Sequence, residues 1–219
     1  MEVFIFVLVG WVFSVCLHEF GHAIVAYNFG DLSVKEKGYL TMNPIHYTHP
    51  LMSLVFPILI MIMGGIGLPG GAVYIDDSMI RGKWRRALVS LAGPAMNMLL
   101  AVVLCVPFWT GLIDRNAQNL LPTALSLLIS LQISAVIFNL LPIPTLDGFR
   151  ALSEWLPLEI REMAMRHSSL FMILLFGLFW QVPFFSHWFW FTVYFICVLL
   201  GVDVQLVQNG WYEFWFWKN

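Results

Sequence analysis

Five consecutive residues, His18-Glu19-Phe20-Gly21-His22, combine the side-chain types that hold a divalent metal and put it to use. Histidines four apart share one helical face and can both reach one Zn2+, while the glutamate between them lies beside the fourth ligand, a water, as in metalloproteases. The setting sharpens this reading. The motif lies inside a nearly charge-free run from Val3 to Phe29, where three ionisable groups would each cost about 2–3 kcal/mol at mid-bilayer without a compensating ion. A zinc hydrolase draws its third protein ligand from a distant segment, and few acids lie near apolar runs. Asp203 reads as a helix-end or interfacial acid. Asp147 follows an apolar helix in the segment from Asn139 to Gly148, where Pro142 and Pro144 must stop the helix and leave extended backbone. Local chemistry leaves Asp147 open between a metal ligand and a turn-forming Asp-Gly pair.

The elements that must carry these residues are membrane helices. Of 219 residues, 60% are hydrophobic and only 11% charged, with a mean hydropathy of +0.81, well outside the soluble range. A net charge of -2 without a dominant basic cluster excludes a nucleic-acid partner. Cys16, Cys105 and Cys197 stand singly in apolar runs and read as buried thiols. The nearly charge-free runs are Val3 to Phe29, Leu51 to Leu68, Ala87 to Thr110, Leu120 to Leu141, Ser168 to Val182 and Phe184 to Val202. Most are long enough to cross a bilayer as helix. The expected fold is an all-α polytopic membrane protein with about five transmembrane helices, a re-entrant element and a zinc site within the bilayer. One integral-membrane domain spans 1–219, with a core over 1–150 and C-terminal helices over about 168–207.

Topology follows from keeping the ligands together. Gly30 is a natural stop for the first helix, so His18 and His22 lie roughly 12–18 Å below that end. Asp147 follows the C-terminal end of the Leu120 to Leu141 helix, so both helix ends must share a face. Two crossings between them satisfy this and three do not, which makes Leu51 to Leu68 the re-entrant element. Lys35, Lys37, Arg81, Lys83, Arg85, Arg86, Arg150, Arg161, Arg166 and Lys218 then share one face against Arg115 opposite. That bias makes the shared face cytoplasmic, with the N-terminus outside, the C-terminus inside and the active site nearer the cytosol.

Three separated elements together resemble the site-2 proteases, which are intramembrane zinc metalloproteases. They are His18 to His22, Ala92-Gly93-Pro94-Ala95-Met96-Asn97, and the N-x-x-P-x-P-x-x-D-G pattern from Asn139 to Gly148. The resemblance implies that His18, His22 and Asp147 bind one Zn2+, that Glu19 is the catalytic acid/base, and that Asn139 holds substrate backbone or the developing oxyanion. Asn97 matches the family's second element, as a substrate-binding residue or as a hydrogen bond between helices. Leu68 to Ile75 looks like the family's loop between the first two core helices. The resemblance is to a minimal form, with no room in this length for a PDZ or CBS domain. It implies hydrolysis of peptide bonds in or near transmembrane segments of single-span membrane proteins, with the lipid bilayer as surroundings.

The alternatives are a catalytically silent relative and a metal-binding or transport protein. A cation path places ligands at successive depths on several helices, whereas these ligands concentrate at one level. A carrier also has no use for Glu19 between the histidines. His46 and His49 read as solvated or loop-bonding histidines in an interfacial turn, and His167 and His187 lie at span ends.

Overall fold

The computed structural model describes residues 1–43, 73–115 and 120–217. These residues form helices and connecting turns, with no strand among them. In chain order the helices are α1 (Glu2–Asn28), α2 (Ser33–Glu36), α3 (Lys83–Trp109), α4 (Leu121–Asn139), α5 (Asp147–Ser153), α6 (Leu158–Arg166), α7 (Ser168–Gln181), α8 (Pro183–Leu199) and α9 (Val204–Phe214). The run from Leu51 to Leu68, expected to be re-entrant, lies outside the described residues, as do His46, His49 and the stretch before Val73.

Three helices, α1, α3 and α4, are long and apolar enough to cross a membrane. A fourth crossing is available if α6 and α7, bent by 63° at their junction, act as one broken span. At 17 residues α8 reaches only about 26 Å. Every described apolar run is therefore helical, and among the described residues three to four helices qualify as full-length spans, in keeping with the expected all-α polytopic membrane fold. Prolines and polar residues cut the C-terminal runs short. Phe179 and Phe189, ten residues apart, bring their ring centroids to 5.2 Å, so the chain bends sharply at Val182–Pro183.

One helix went unforeseen. Helix α8 ends at Leu199, Gly201 takes φ +77°, and α9 begins a separate helix. Asp203 caps it by accepting the Gln205 backbone N–H at 2.8 Å, a helix-end role in accord with the expectation for this acid.

The core is built around α4, which is buried along nearly its whole length. Its Leu127, Ile129, Leu131, Ile133 and Phe138 meet Val3, Val7, Trp11 and Val15 of α1 and Ala101 and Cys105 of α3. Small residues set the closest approaches. A Cβ at Gly21 would strike Met96 and the Ala92 carbonyl, and one at Gly210 would meet Leu127 and the Thr123 carbonyl. These glycines let α1 lie on α3 and α9 on α4.

Many of the charged residues meet at the end of the bundle where α1 ends and α3 begins, while Glu2, Arg115 and Asp203 lie toward the other end. Arg85 lies over the Phe29 ring at 5.6 Å, so the chain leaves α1 and enters α3 at the same end. Lys37 donates to the Tyr74 carbonyl at 3.1 Å. Arg86 pairs with Glu154 at 2.6 Å, Arg150 with Asp77 at 3.1 Å and Arg161 with Glu154 at 3.3 Å. These pairs tie α3 and the segment before it to α5, its C-cap Glu154 and α6.

Candidate metal centre

His18 and His22 occupy successive turns of α1 on the face that meets α3, and both are buried. Their apposition depends on Gly93. A Cβ there would collide with Nε2 of both histidines, so the missing side chain leaves a cradle beside the two ring nitrogens.

Asp147 arrives from the far side. Helix α4 ends at Asn139, the Pro142–Pro144 stretch prevents its continuation, and α5 begins at Asp147. Thr145 takes φ +88°, and Gly148 packs so tightly on the Leu140 and Leu141 carbonyls that a Cβ would overlap them. This turn carries the Asp147 carboxylate to 3.2 Å from His18 Nε2 and 3.4 Å from His22 Nε2. The two Nε2 atoms are 3.1 Å apart.

The hydrogen bonds assign the protons. His22 Nδ1–H donates to the Val89 carbonyl at 2.7 Å, and His18 Nδ1–H donates to Asn97 Oδ1 at 2.5 Å. With Nδ1–H so engaged, either ring in its neutral form turns a bare Nε2 lone pair toward the other and toward a carboxylate oxygen. Three electron-rich atoms in mutual contact repel one another unless a cation joins them. Bonds of 2.0–2.1 Å in a tetrahedral zinc site place neighbouring ligand atoms about 3.3 Å apart, and the observed triangle has that size. Among the described residues His18, His22 and Asp147 are the one group able to hold a metal ion, and their donor set, two imidazoles and one carboxylate, suits Zn2+ with an open fourth position.

Glu19 is 3% exposed, and its carboxylate lies within electrostatic range of all three ligands. It accepts the Val73 backbone N–H at 3.0 Å, so the segment from Val73 onward, part of the expected family loop, reaches the site. Asn139 is buried, and its Nδ2 has no hydrogen-bond partner among the described residues. Asn97 departs from a substrate-binding role in its contacts. Oδ1 accepts from His18 while Nδ2 donates to Ser14 Oγ at 2.9 Å and Gln132 Oε1 at 2.8 Å, which is the pattern of a hydrogen bond between helices.

Two members of this cluster, Ser14 and Gln132, escaped sequence reasoning. The available signal was an uncharged polar residue in the middle of an apolar span, which in a bilayer faces protein.

Fold and site together define a bundle of apolar helices around a candidate metal centre. The profile described as Peptidase family M50 matches residues 4–114. The chain is 43% identical to the protein named "Putative zinc metalloprotease Rip2" of Mycolicibacterium smegmatis, over 99% of this chain and 82% of that one. It is 41% identical to the protein of the same name from Mycobacterium tuberculosis strain H37Rv, with the same coverage. The YwhC protein of Bacillus subtilis, also named as a putative zinc metalloprotease, is 31% identical over 71% of each chain. No solved structure matches the chain. The chain belongs to peptidase family M50, the site-2 protease family, and is an integral membrane protein.

Proposed function

We propose that this protein is an intramembrane zinc metalloprotease that hydrolyses peptide bonds in or near the transmembrane segments of single-span membrane proteins. The observation that carries the proposal is the triangle of His18 Nε2, His22 Nε2 and Asp147 Oδ2, with edges of 3.1–3.4 Å, beside the buried Glu19. The relatives' names support zinc as the ion.

Zn2+, when held by His18, His22 and Asp147, supplies a positive charge that polarises the scissile carbonyl and makes a water more acidic. Glu19 takes a proton from the attacking water and passes it to the leaving amide nitrogen. Asn139 Nδ2, which has no hydrogen-bond partner among the described residues, donates to the carbonyl oxygen as negative charge develops there. Burial of Glu19 and both histidines keeps bulk water from these groups. A peptide bond in a helix is shielded by its own hydrogen bonds, so the substrate must unwind locally. Gly or Pro near the scissile bond promotes this, weakening the helix by about 1 and 3 kcal/mol relative to Ala.

We further propose that the end of the bundle where α1 ends and α3 begins is cytoplasmic, which puts the N-terminus outside and the active site nearer the cytosol; the C-terminal helix, expected inside, instead lies at the N-terminal end of α1, where the Phe214, Phe216 and Trp217 rings meet Phe4 at 5.1–5.8 Å. The basic residues gathered there support this orientation.

The test is incubation of purified protein, reconstituted in liposomes, with single-span substrates graded in helix strength. Cleavage that a zinc chelator stops, and that rises as the substrate helix weakens, is expected. Cleavage unaffected by the chelator overturns the metal assignment, and rates indifferent to helix strength overturn unwinding as the selector.

A further inference from the structure

We infer that Gln132, in the middle of α4, is a positioning residue of the metal centre: through Asn97 it fixes the tautomer in which His18 offers Nε2 to the metal. The inference rests on the metal site of the proposed function and extends it to a residue that touches no ligand.

Gln132 is fully buried, and its Nε2 has no hydrogen-bond partner among the described residues. An apolar side chain of that size would avoid the desolvation of an unpaired amide donor, so the glutamine is explained by its carbonyl. Oε1 accepts twice, from the Ser14 hydroxyl and from Asn97 Nδ2 at 2.8 Å. Asn97 Nδ2 spends its second hydrogen on Ser14 Oγ at 2.9 Å. With both amide hydrogens committed, only Asn97 Oδ1 can face His18 Nδ1, and it does so at 2.5 Å.

The reversed amide shows what the arrangement prevents. With Gln132 Oε1 held where it is, it would set Asn97 Oδ1 against that acceptor and turn the NH2 group toward His18 Nδ1. His18 would then accept at Nδ1 and carry its proton on Nε2, the atom 3.2 Å from Asp147. A protonated Nε2 has no lone pair for a metal. Ser14 on α1, Asn97 on α3 and Gln132 on α4 thus form a relay that makes the ligand state of His18 depend on the packing of three helices. Groups that fix the tautomer of a metal-binding histidine are worth 10–100-fold in metal affinity.

Gln132→Met keeps the length and burial of the side chain and removes the acceptor. The test measures Zn2+ affinity of the purified full chain by competition with a chelating dye, with thermal unfolding of the metal-free protein as the fold control. Gln132→Met should weaken Zn2+ binding about tenfold without lowering the metal-free unfolding temperature. Asn97→Asp should restore the affinity in that background, because a carboxylate accepts with either oxygen and can take the Ser14 hydroxyl as well as His18 Nδ1–H. A packing defect would not be repaired in this way. Unchanged affinity in Gln132→Met, or lost affinity that Asn97→Asp does not recover, overturns the relay. Wild-type protein that binds Zn2+ but cleaves no peptide sinks the protease reading alone and leaves the relay standing, whereas wild-type protein with no Zn2+ affinity overturns both.

Discussion

Helices α4 and α7 are both strongly apolar, yet they live in opposite surroundings. Nearly every residue of α4 is buried, whereas α7 buries only Leu175. The difference is written in their polar residues. Along its length α4 carries Thr123, Ser126, Ser130, Gln132, Ser134 and Asn139, while the polar groups of α7, Ser168, Ser169 and Gln181, stand at its ends. In water an apolar stripe marks the side of a helix that faces the core. In lipid apolar surface is at home on the outside, so uncharged polar groups mark the interior instead. The site is assembled where those groups are, between α1, α3, α4 and the start of α5.

The largest test of that division strikes the interior. His22→Ala should remove both metal and activity, and Gly93→Ala should do the same without altering a ligand, because its methyl group would meet both Nε2 atoms. Metal content per chain and cleavage rate decide both; a Gly93→Ala protein that holds its zinc would mean that the cradle is not where the ion sits.

Glu19→Gln separates chemistry from binding. Cleavage should fall by about 10²–10⁴-fold, as expected for loss of a general acid/base, with zinc retained near one ion per chain. Wild-type turnover in this variant would remove Glu19 from the mechanism. Asn139→Ala should slow cleavage by about 10²-fold, again with zinc retained, and should slow weak-helix and strong-helix substrates alike. Zinc loss in Asn139→Ala would make it a support of the metal site instead of a contact to substrate.

The smallest effect compares the two helices directly. Leu131 of α4 is fully buried and Leu174 of α7 is 53% exposed. Leu131→Ala should cost about 2–5 kcal/mol, and Leu174→Ala should stay within about 0.5 kcal/mol. Thermal unfolding in a mild detergent measures both, and equal losses would show that α7 is packed as closely as α4.

How far the sequence could be read follows the same line. His18, Glu19 and His22 were legible because their spacing on one helix fixes their geometry locally. Asp147 was legible only in part: the prolines announce the end of α4, but the carboxylate meets the histidines through a tertiary turn that rests on Gly148 and Thr145. Local chemistry had left it even between a ligand and a turn. Asn97 was noticed without its partners, since a hydrogen bond among three helices depends on which faces meet. Ser14 and Gln132 were passed over as parts of apolar runs. At the C-terminal end, the runs to Val182 and Val202 were recognised as apolar, but the bends at Arg166–Ser168 and Val182–Pro183 and the separate helix α9 depend on packing that hydropathy does not encode.

The triangle of ligands also bears on how the protein is made. His18 and His22 enter the membrane with the first helix, whereas Asp147 follows roughly 125 residues later, and drawing such distant points together forfeits chain entropy that grows with the logarithm of the separation. Until α5 emerges and docks, a nascent chain holds two imidazoles but neither the carboxylate nor the Asp147–Gly148 turn. An ion bound at the finished site would then clasp the first helix to the start of α5. The set of three metal-binding side chains is therefore complete only once α5 has formed.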